Sequence, residues 1–302
     1  RSTLFPYTTL FRSPAGEMAD TASRLAVDKL HIVGDIYDRG AHPDTIMDYL
    51  MKFHDVDLQW GNHDIIWMGA AAGHWASICN VLRMNISYNN FDMLEDGYGI
   101  NLRVLSEFAQ KVYGDDPCEY FKPKRFDLNR FDPVDDLLAA RMHKAITICQ
   151  FKIEGQRIEA HPEYELDHRL LLDKIDFKKG TVDIQGKIYE MRDSNLPTVD
   201  TENPYQLTKE EYSMMKAISL SFKRSKQLQK HIGFLFSHGS LYSVQNKNLM
   251  YHGCIPMDEN GDFIECTLNN HTSKGKAYMD YLDEQIRKAQ LEIGRASCRE
   301  RV

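Results

Sequence analysis

The sequence has few cysteines, and none of them are spaced as in a metal or redox motif. It contains 6 cysteines among 302 residues, and no two lie in a Cys-x-x-Cys arrangement. Disulfide-stabilised secreted domains and zinc ribbons both need clustered cysteines. We therefore expect these cysteines to be small buried residues in a reducing compartment, and the protein to be cytoplasmic.

Long apolar runs and an excess of basic residues are also absent. No uninterrupted apolar run approaches the roughly 20 residues that a membrane-spanning helix needs. The chain has 44 acidic and 37 basic residues, a net charge of −7, whereas nonspecific nucleic-acid binding depends on Lys and Arg that neutralise phosphates. We expect neither a membrane nor a nucleic acid as partner, and the composition leaves the oligomeric state open.

Both ends of the chain lack the periodicity of helices or strands. Back-translated, residues 1–13 and 293–302 fit opposite strands of one oligonucleotide, as read-through of a sequencing adapter would produce. We therefore expect both segments to be adapter-derived rather than native. The native segment is expected to span residues 14–292 and to be open at both ends.

Apolar periodicity in the first eighty or so residues predicts strand, helix, strand and helix in turn. Strands are expected at Lys29–Asp35, which should be buried, and at Val56–Trp60. One helix should begin at Pro43, and a second should cover Ile65–Leu82. This alternation is typical of a parallel α/β unit, in which functional sites gather at the carboxyl ends of the strands.

The middle of the chain changes character. Amphipathic helices are predicted over Pro133–Phe151 and Lys209–Lys230, with a β-hairpin over Ile175–Met191 between them. Strand character returns over Gly239–Pro256, and Ser273–Glu292 is expected to form a closing helix.

These patterns divide the native segment into three parts. Residues 14–97 are expected to form the first part of an α/β core, and residues 239–292 its continuation. Residues 98–238 are expected to form a mainly helical insertion that carries the β-hairpin.

Three polar clusters follow the predicted strands: Gly34-Asp35-Ile36-Tyr37-Asp38-Arg39-Gly40, Gly61-Asn62-His63-Asp64 and Tyr251-His252-Gly253. Each alone could be a capped turn, a surface ion pair or a packed histidine. Together they supply the carboxylate, amide and imidazole donors that divalent metals bind. The arginine beside the carboxylates suits capture of a phosphate, and Asp64 is expected to cap a helix or to support the site.

The first two clusters, GDIYDRG and GNHD, resemble the paired signature of the calcineurin-like binuclear metallophosphatases. Their surroundings, HIVGDIYDRGAHPDTIMD, VDLQWGNHDIIWMGAAAG, GYGINLR and LMYHGCIPMDENG, are similar to the class III, Firmicutes-type fructose-1,6-bisphosphatases. The resemblance extends over residues 14–292. It implies a calcineurin-like α/β sandwich, present in part, with a mainly helical insertion.

The resemblance also implies a reaction and its cofactors. The substrate would be a small-molecule sugar bisphosphate, fructose 1,6-bisphosphate, hydrolysed to fructose 6-phosphate and phosphate in gluconeogenesis. Two divalent metal ions, expected to be Mn²⁺, would take part. Asp35 would bridge the two ions, and Asn62 and His252 would be ligands of one of them.

Three further residues receive catalytic roles by the same resemblance. His63 would protonate the departing sugar oxygen, and Asp38 would hold the His63 imidazole in position. Arg39 would bind the phosphate and stabilise the charge of the transition state. Among the remaining histidines, His42 and His238 each lie beside a motif or a strand end and stay open, and the others are expected to be surface or packing residues.

The family pattern also contains an Asp-x-His strand tip before the first motif and a Gly-His-Thr-type loop far downstream, and this sequence provides neither. Without them, one metal site would lack a histidine and the other would keep little besides Asp35. Because catalysis needs both ions in place, we expect the segment on its own to be inactive. Two alternatives stay open. One is a Ser/Thr protein or dinucleotide polyphosphate phosphatase of the same superfamily, and the other is a non-catalytic scaffold that keeps the motifs.

Overall fold

The computed structural model describes residue 21, residues 25–124 and residues 134–299, with side chains to residue 291. The predicted adapter segment 1–13 lies outside these residues. Eight α-helices are found in the described part of the chain: α1 (Pro43–Leu50), α2 (Asn62–Ala71), α3 (Trp75–Ser87), α4 (Arg103–Tyr113), α5 (Asp136–Ala160), α6 (Lys209–Arg224), α7 (Lys226–His238) and α8 (Gly275–Arg299).

The strands are short: β1 (Leu30–Ile32), β2 (Val56–Gln59), β3 (Ile175–Asp176), β4 (Thr181–Ile184), β5 (Lys187–Glu190), β6 (Gly239–Ser240), β7 (Tyr242–Gln245), β8 (Asn248–Tyr251), β9 (Cys266–Leu268) and β10 (His271–Ser273). A parallel sheet has the order β1–β2–β6, which confirms the predicted parallel α/β unit. The fold is mixed α/β, and the metallophosphatase sandwich stays a prediction.

Strand β1 is less buried than the sequence predicts. All three of its residues are half-buried, and the next residue, Val33, is 53% exposed. Among the described residues β1 pairs on one side only, with β2, so it is an edge strand. The prediction of a buried strand over Lys29–Asp35 is therefore wrong, because an apolar run does not reveal how many neighbours a strand has.

The helix predicted over Ile65–Leu82 is two helices. Helices α2 and α3 meet at an angle of 120°, and Gly73 between them has φ +89°. A glycine adopts this left-handed conformation without the steric cost that other residues incur, so it ends α2 and turns the chain. Among the described helices none is alone long and apolar enough to cross a membrane, and α2 with α3 reach that limit only when taken together across the bend.

The helix predicted over Lys209–Lys230 is likewise interrupted. Ser225 ends α6 and begins α7, and its side chain accepts a hydrogen bond from the Leu228 N–H at 3.2 Å. Such N-caps satisfy a helix donor that would otherwise lack a partner.

The remaining predicted elements are found with shifted ends. Helix α5 begins and ends later than the predicted Pro133–Phe151. Helix α8 extends past its predicted end, Glu292, to Arg299. Three antiparallel strands, β3 to β5, replace the single hairpin predicted over Ile175–Met191. Within the predicted strand region Gly239–Pro256, β7 and β8 form an antiparallel hairpin, and Asn246 and Lys247 at its turn both have positive φ.

One apolar cluster joins the helices on both sides of the proposed domain boundaries. It includes Trp67 of α2, Leu105 of α4, Ile146 of α5 and Phe222 of α6. The helices predicted as an insertion thus share a core with the first part of the chain, which places the loops after β1 and β2 on a rigid base. The division into three parts remains a prediction.

Candidate metal centre

The first candidate loop turns sharply at two successive residues after β1. Gly34 has φ +91° and Asp35 has φ +55°. Positive φ is unfavourable for a residue with a Cβ and persists only where the surroundings hold it. The strained backbone thus brings the Asp35 carboxylate to the carboxyl end of the parallel sheet, as the sequence predicts.

The buried carboxylate of Asp64 joins the loop after β1 to the loop after β2. It is 1% exposed, and its Oδ2 accepts hydrogen bonds from the N–H of Asp35 at 2.8 Å and of Gly61 at 2.9 Å. Its Oδ1 accepts from the Tyr37 N–H at 3.3 Å. Burial raises the pKa of Asp64, although the three N–H donors act in the opposite direction. The expected supporting role therefore takes the form of a carboxylate that joins two loops.

The Asp35 carboxylate is shared between the second and third clusters. Its Oδ1 accepts a hydrogen bond from the His63 N–H at 3.1 Å. Its Oδ2 lies 3.0 Å from Nε2 of His252, the residue that follows β8. The carboxylate thus contacts one residue of each of the other two clusters, which lie 28 and 217 positions further along the chain.

The orientation of the His252 ring is fixed by a backbone carbonyl. His252 Nδ1 lies 2.7 Å from the Val33 carbonyl oxygen, which can only accept, so Nδ1 carries the proton and donates. In neutral His252 the lone pair of Nε2 therefore faces the Asp35 carboxylate. Two acceptors at this distance repel each other unless a proton or a cation lies between them.

Two glycines allow these groups to approach one another. A Cβ on Gly61 would lie 2.1 Å from Oδ1 of Asp35, and a Cβ on Gly34 would lie 2.8 Å from Nδ1 of His252. Real Cβ atoms do not come so close to other heavy atoms. The glycines of both motifs are therefore needed for space.

A second group of contacts centres on Asp38. Its Oδ1 lies 3.0 Å from His63 Nε2 and 3.2 Å from Arg39 Nε. This oxygen is buried, yet among the described residues it has no partner in hydrogen-bond geometry. The Arg39 side chain is 56% exposed and lies over the Tyr88 ring at 5.8 Å, so its guanidinium is accessible to an anion from solvent.

The donor set suits a divalent cation. One donor atom each from Asp35, Asp38 and His63 lies within 4.8 Å of the others. The opposed lone pairs of His252 and Asp35 favour a cation bound between them. Carboxylate oxygen with imidazole nitrogen is a donor set that manganese, iron or zinc accepts.

The structure brings together the side chains of five of the six predicted site residues. Asn62 is the exception: it begins α2, its side chain is exposed, and no hydrogen-bond partner for it is found among the described residues. Sequence reasoning missed the Val33 carbonyl that orients His252. Every residue has a backbone carbonyl, so the sequence carries no signal that marks this one as a hydrogen-bond acceptor.

Comparison with known proteins gives the family. Residues 15–300 match the family model of the Firmicute fructose-1,6-bisphosphatase. The matched range includes residues 293–300, for which the sequence predicts an adapter origin, so that prediction stays open. No solved structure matches the chain significantly.

Curated relatives carry the name fructose-1,6-bisphosphatase class 3. The chain is 52% identical to the protein of Clostridium tetani (strain Massachusetts / E88) over 273 residues, which are 90% of this chain and 41% of the relative. It is 48% identical to the protein of Listeria innocua serovar 6a over 279 residues, 91% of this chain and 43% of the relative. The chain thus spans about two fifths of the length of these relatives. With the family match over nearly all its residues, the chain belongs to the Firmicute fructose-1,6-bisphosphatase family.

Proposed function

We propose that the chain carries metal- and phosphate-binding residues of an enzyme that hydrolyses fructose 1,6-bisphosphate to fructose 6-phosphate and phosphate. Membership of the family and the names of the relatives support this reaction. A small-molecule sugar bisphosphate is the proposed substrate, and two divalent ions, Mn²⁺ in our proposal, are the cofactors. The net charge of −7 favours neither nucleic acid nor an anionic membrane surface as partner.

One observation carries the metal part of the proposal: the contact of His252 Nε2 with Asp35 Oδ2 at 3.0 Å, with Nδ1 bound to the Val33 carbonyl. An octahedral divalent cation with bonds of about 2.1 Å holds adjacent donors about 3.0 Å apart. Histidines that bind metals usually donate their other N–H to a carbonyl or a carboxylate, which fixes the ring. His252 has both features.

Asp35, Asn62 and His252 are the proposed ligands, with Asp35 shared between two ions. Divalent ions bound there would polarise the phosphoryl oxygens and supply a water of lowered pKa as nucleophile. Arg39, the most exposed of the charged side chains in the site, would bind the phosphate oxygens.

His63 is the proposed donor of the proton to the sugar oxygen that leaves. Its Nε2 lies 3.0 Å from Asp38 Oδ1, so the carboxylate can stabilise the imidazolium form and orient the ring. The peptide N–H of His63 bound to Asp35 ties this proton donor to the proposed bridging ligand.

Binding of Mn²⁺ to the purified chain, measured by isothermal titration calorimetry, tests the proposed site. We expect the wild type to bind Mn²⁺ and His252→Ala to bind it at least about tenfold more weakly, because the lost group is a direct ligand. His238→Ala is the matched control. His238 stacks on Phe234 and contacts Ser237, away from Asp35, so this variant should bind as the wild type does. Equal affinity of all three proteins would contradict the proposal.

Catalytic activity of the chain on its own depends on how many metal ligands it provides. Among the described residues the donors near Asp35 are few for two ions, since each ion prefers about six ligands. We therefore propose that the chain alone releases phosphate from fructose 1,6-bisphosphate no faster than Mn²⁺ in buffer does. Turnover at a rate typical of enzymes would show that the site is complete as it stands.

A further inference from the structure

Tyr37 lies between the proposed bridging ligand, Asp35, and the partner of the proton donor, Asp38. Its side chain is 1% exposed and packs against the Trp67 ring, with 4.8 Å between ring centroids. Its N–H donates to Asp64. The loop that carries two site carboxylates is thus fixed to the core through one residue that itself faces no substrate.

The Tyr37 hydroxyl is the end of a buried hydrogen-bond chain. The Tyr98 and Tyr37 hydroxyl oxygens lie 3.0 Å apart, and His231 Nδ1 lies 3.1 Å from the same Tyr98 oxygen. Because a hydroxyl both donates and accepts, these contacts form one continuous hydrogen-bond chain from His231 through Tyr98 to Tyr37.

The other side of the His231 ring is held by Gln227, also on α7. The Gln227 amide nitrogen lies 3.0 Å from His231 Nε2 and 3.1 Å from Asp48 Oδ1, and His231 Nε2 itself lies 3.2 Å from the same Asp48 oxygen. His231 is fully buried, and burial lowers its pKa although Asp48 acts in the opposite direction. Contacts on both ring nitrogens thus fix the position of the His231 side chain.

The backbone around Tyr98 is unusual. Tyr98 follows directly on a π-helical segment, Met93–Gly97, and the Ser225 hydroxyl donates to its carbonyl at 2.5 Å. Wide helical turns of this kind are uncommon and occur frequently near functional sites. Here the π-helical segment directly precedes Tyr98, whose hydroxyl contacts Tyr37 in the loop after β1.

We propose that Tyr98 and His231 are positioning residues, which hold Tyr37 through this hydrogen-bond chain and thereby set the placement of Asp35 and Asp38. In their absence the loop keeps its core contacts but samples other arrangements, so the metal ligands are less well ordered. The expected change in metal affinity rests on the proposed function. The expected change in the order of the loop that carries Asp35 and Asp38 does not rest on it.

Tyr98→Phe tests the chain with the least disturbance, because the ring remains and only the hydroxyl is lost. We expect the Kd for Mn²⁺ to rise about tenfold, as when a metal site loses an outer-shell partner. Hydrogen exchange of a peptide covering residues 33–41, followed by mass spectrometry without metal, should become faster. Tyr205→Phe is the matched control: it also removes a buried tyrosine hydroxyl, here one that donates to the Asp173 carboxylate at 2.6 Å, and should change neither readout.

Substitutions of His231 separate positioning from packing. His231→Leu fills the space without a hydrogen-bonding group and should match Tyr98→Phe in both readouts. His231→Asn places an amide group, which donates and accepts hydrogen bonds, near the former Nδ1 and should restore much of the Mn²⁺ affinity and the slow exchange, although it fills the space less well. A merely structural role would rank these two variants in the opposite order.

The two readouts distinguish the possible failures. If the wild type binds no Mn²⁺, the proposed function fails, and hydrogen exchange still decides whether the chain positions the loop. If Tyr98→Phe leaves the exchange of residues 33–41 unchanged, the positioning role is overturned whatever the metal does. Unchanged exchange together with unchanged Kd would overturn both parts of the inference.

Discussion

Gly61 lies against the Asp35 carboxylate, and no larger residue fits there. A Cβ at this position would be 2.1 Å from Asp35 Oδ1 and 2.6 Å from the Asp35 nitrogen. Gly61→Ala must therefore displace Asp35. We expect it to abolish detectable Mn²⁺ binding and to lower the free energy of unfolding by about 1–3 kcal/mol, the usual effect of overpacking. Calorimetric titration and urea unfolding measure the two effects.

Gly40→Ala is the control for this substitution. Gly40 ends the loop after β1, which carries Asp35, and no heavy atom lies within 4 Å of a Cβ built there. We expect an unchanged Kd and a free energy of unfolding within about 0.5 kcal/mol of the wild type. If both alanine variants lost Mn²⁺ equally, the contact with Asp35 would not be the reason that Gly61 is a glycine.

At the scale of single residues, the sequence predicts which side chains form the site but not which hydrogen bonds hold them there. The positions of Asp35, His63 and His252 after strands predict that they converge, and they do. The links that Asp64 makes between two loops depend on which backbone N–H groups the folded chain leaves inside. No residue pattern states this.

At the scale of elements, helix α5 carries two lysines whose side chains lie in the interior. Lys144 and Lys152 are both fully buried. Lys144 contacts Asp116 at 2.7 Å and Asp193 at 2.6 Å, and Lys152 contacts Glu211 of α6 at 2.8 Å. Buried charges persist only when paired in this way, so these pairs fix how the surrounding segments lie on α5.

Lys152→Met tests the contribution of the buried pair between α5 and α6. The substitution leaves the Glu211 carboxylate buried without its cation, and we expect unfolding to become easier by roughly 3–5 kcal/mol. Lys111→Met removes an exposed partner of the adjacent Glu210 and should cost under about 1 kcal/mol. Urea unfolding measures the loss of unfolding free energy in both variants. A loss for Lys152→Met as small as that for Lys111→Met would show that the buried pair contributes no more than an exposed one.

The helices themselves are predictable from apolar periodicity, but their interruptions are less so. A run of helix-forming residues spans both α2 and α3, and only Gly73 marks the turn. A single glycine inside a helical pattern is often tolerated. Ser225 divides α6 from α7 in the same way. These breaks follow from tertiary packing, which a local pattern does not contain.

At the scale of the whole molecule, the fully buried His231 and the half-buried His143 make stability depend on pH. Burial lowers the pKa of His143 and of His231 in the folded chain, whereas an unfolded histidine titrates near about 6.5. The unfolded state then binds more protons below that pH, so stability is full above about 6.5 and falls as the pH decreases towards the folded pKa values.

Urea unfolding between pH 7.5 and 5.5 in the presence of a metal chelator measures this dependence. His143→Asn is the informative variant, because its amide can replace the Nδ1–H that faces the Phe121 carbonyl at 2.9 Å but does not titrate. We expect its stability to fall less than that of the wild type over this range. Parallel pH profiles for the two proteins would show that His143 does not contribute.

We propose that His252, and not His63, binds a metal ion beside Asp35. Pulsed electron paramagnetic resonance of the Mn²⁺-loaded chain detects the modulation from a coordinated imidazole nitrogen. We predict that this nitrogen signal is present in the wild type and in His63→Ala and is lost in His252→Ala. A signal that survives in His252→Ala and disappears in His63→Ala, or a wild type that binds no Mn²⁺, would contradict the claim.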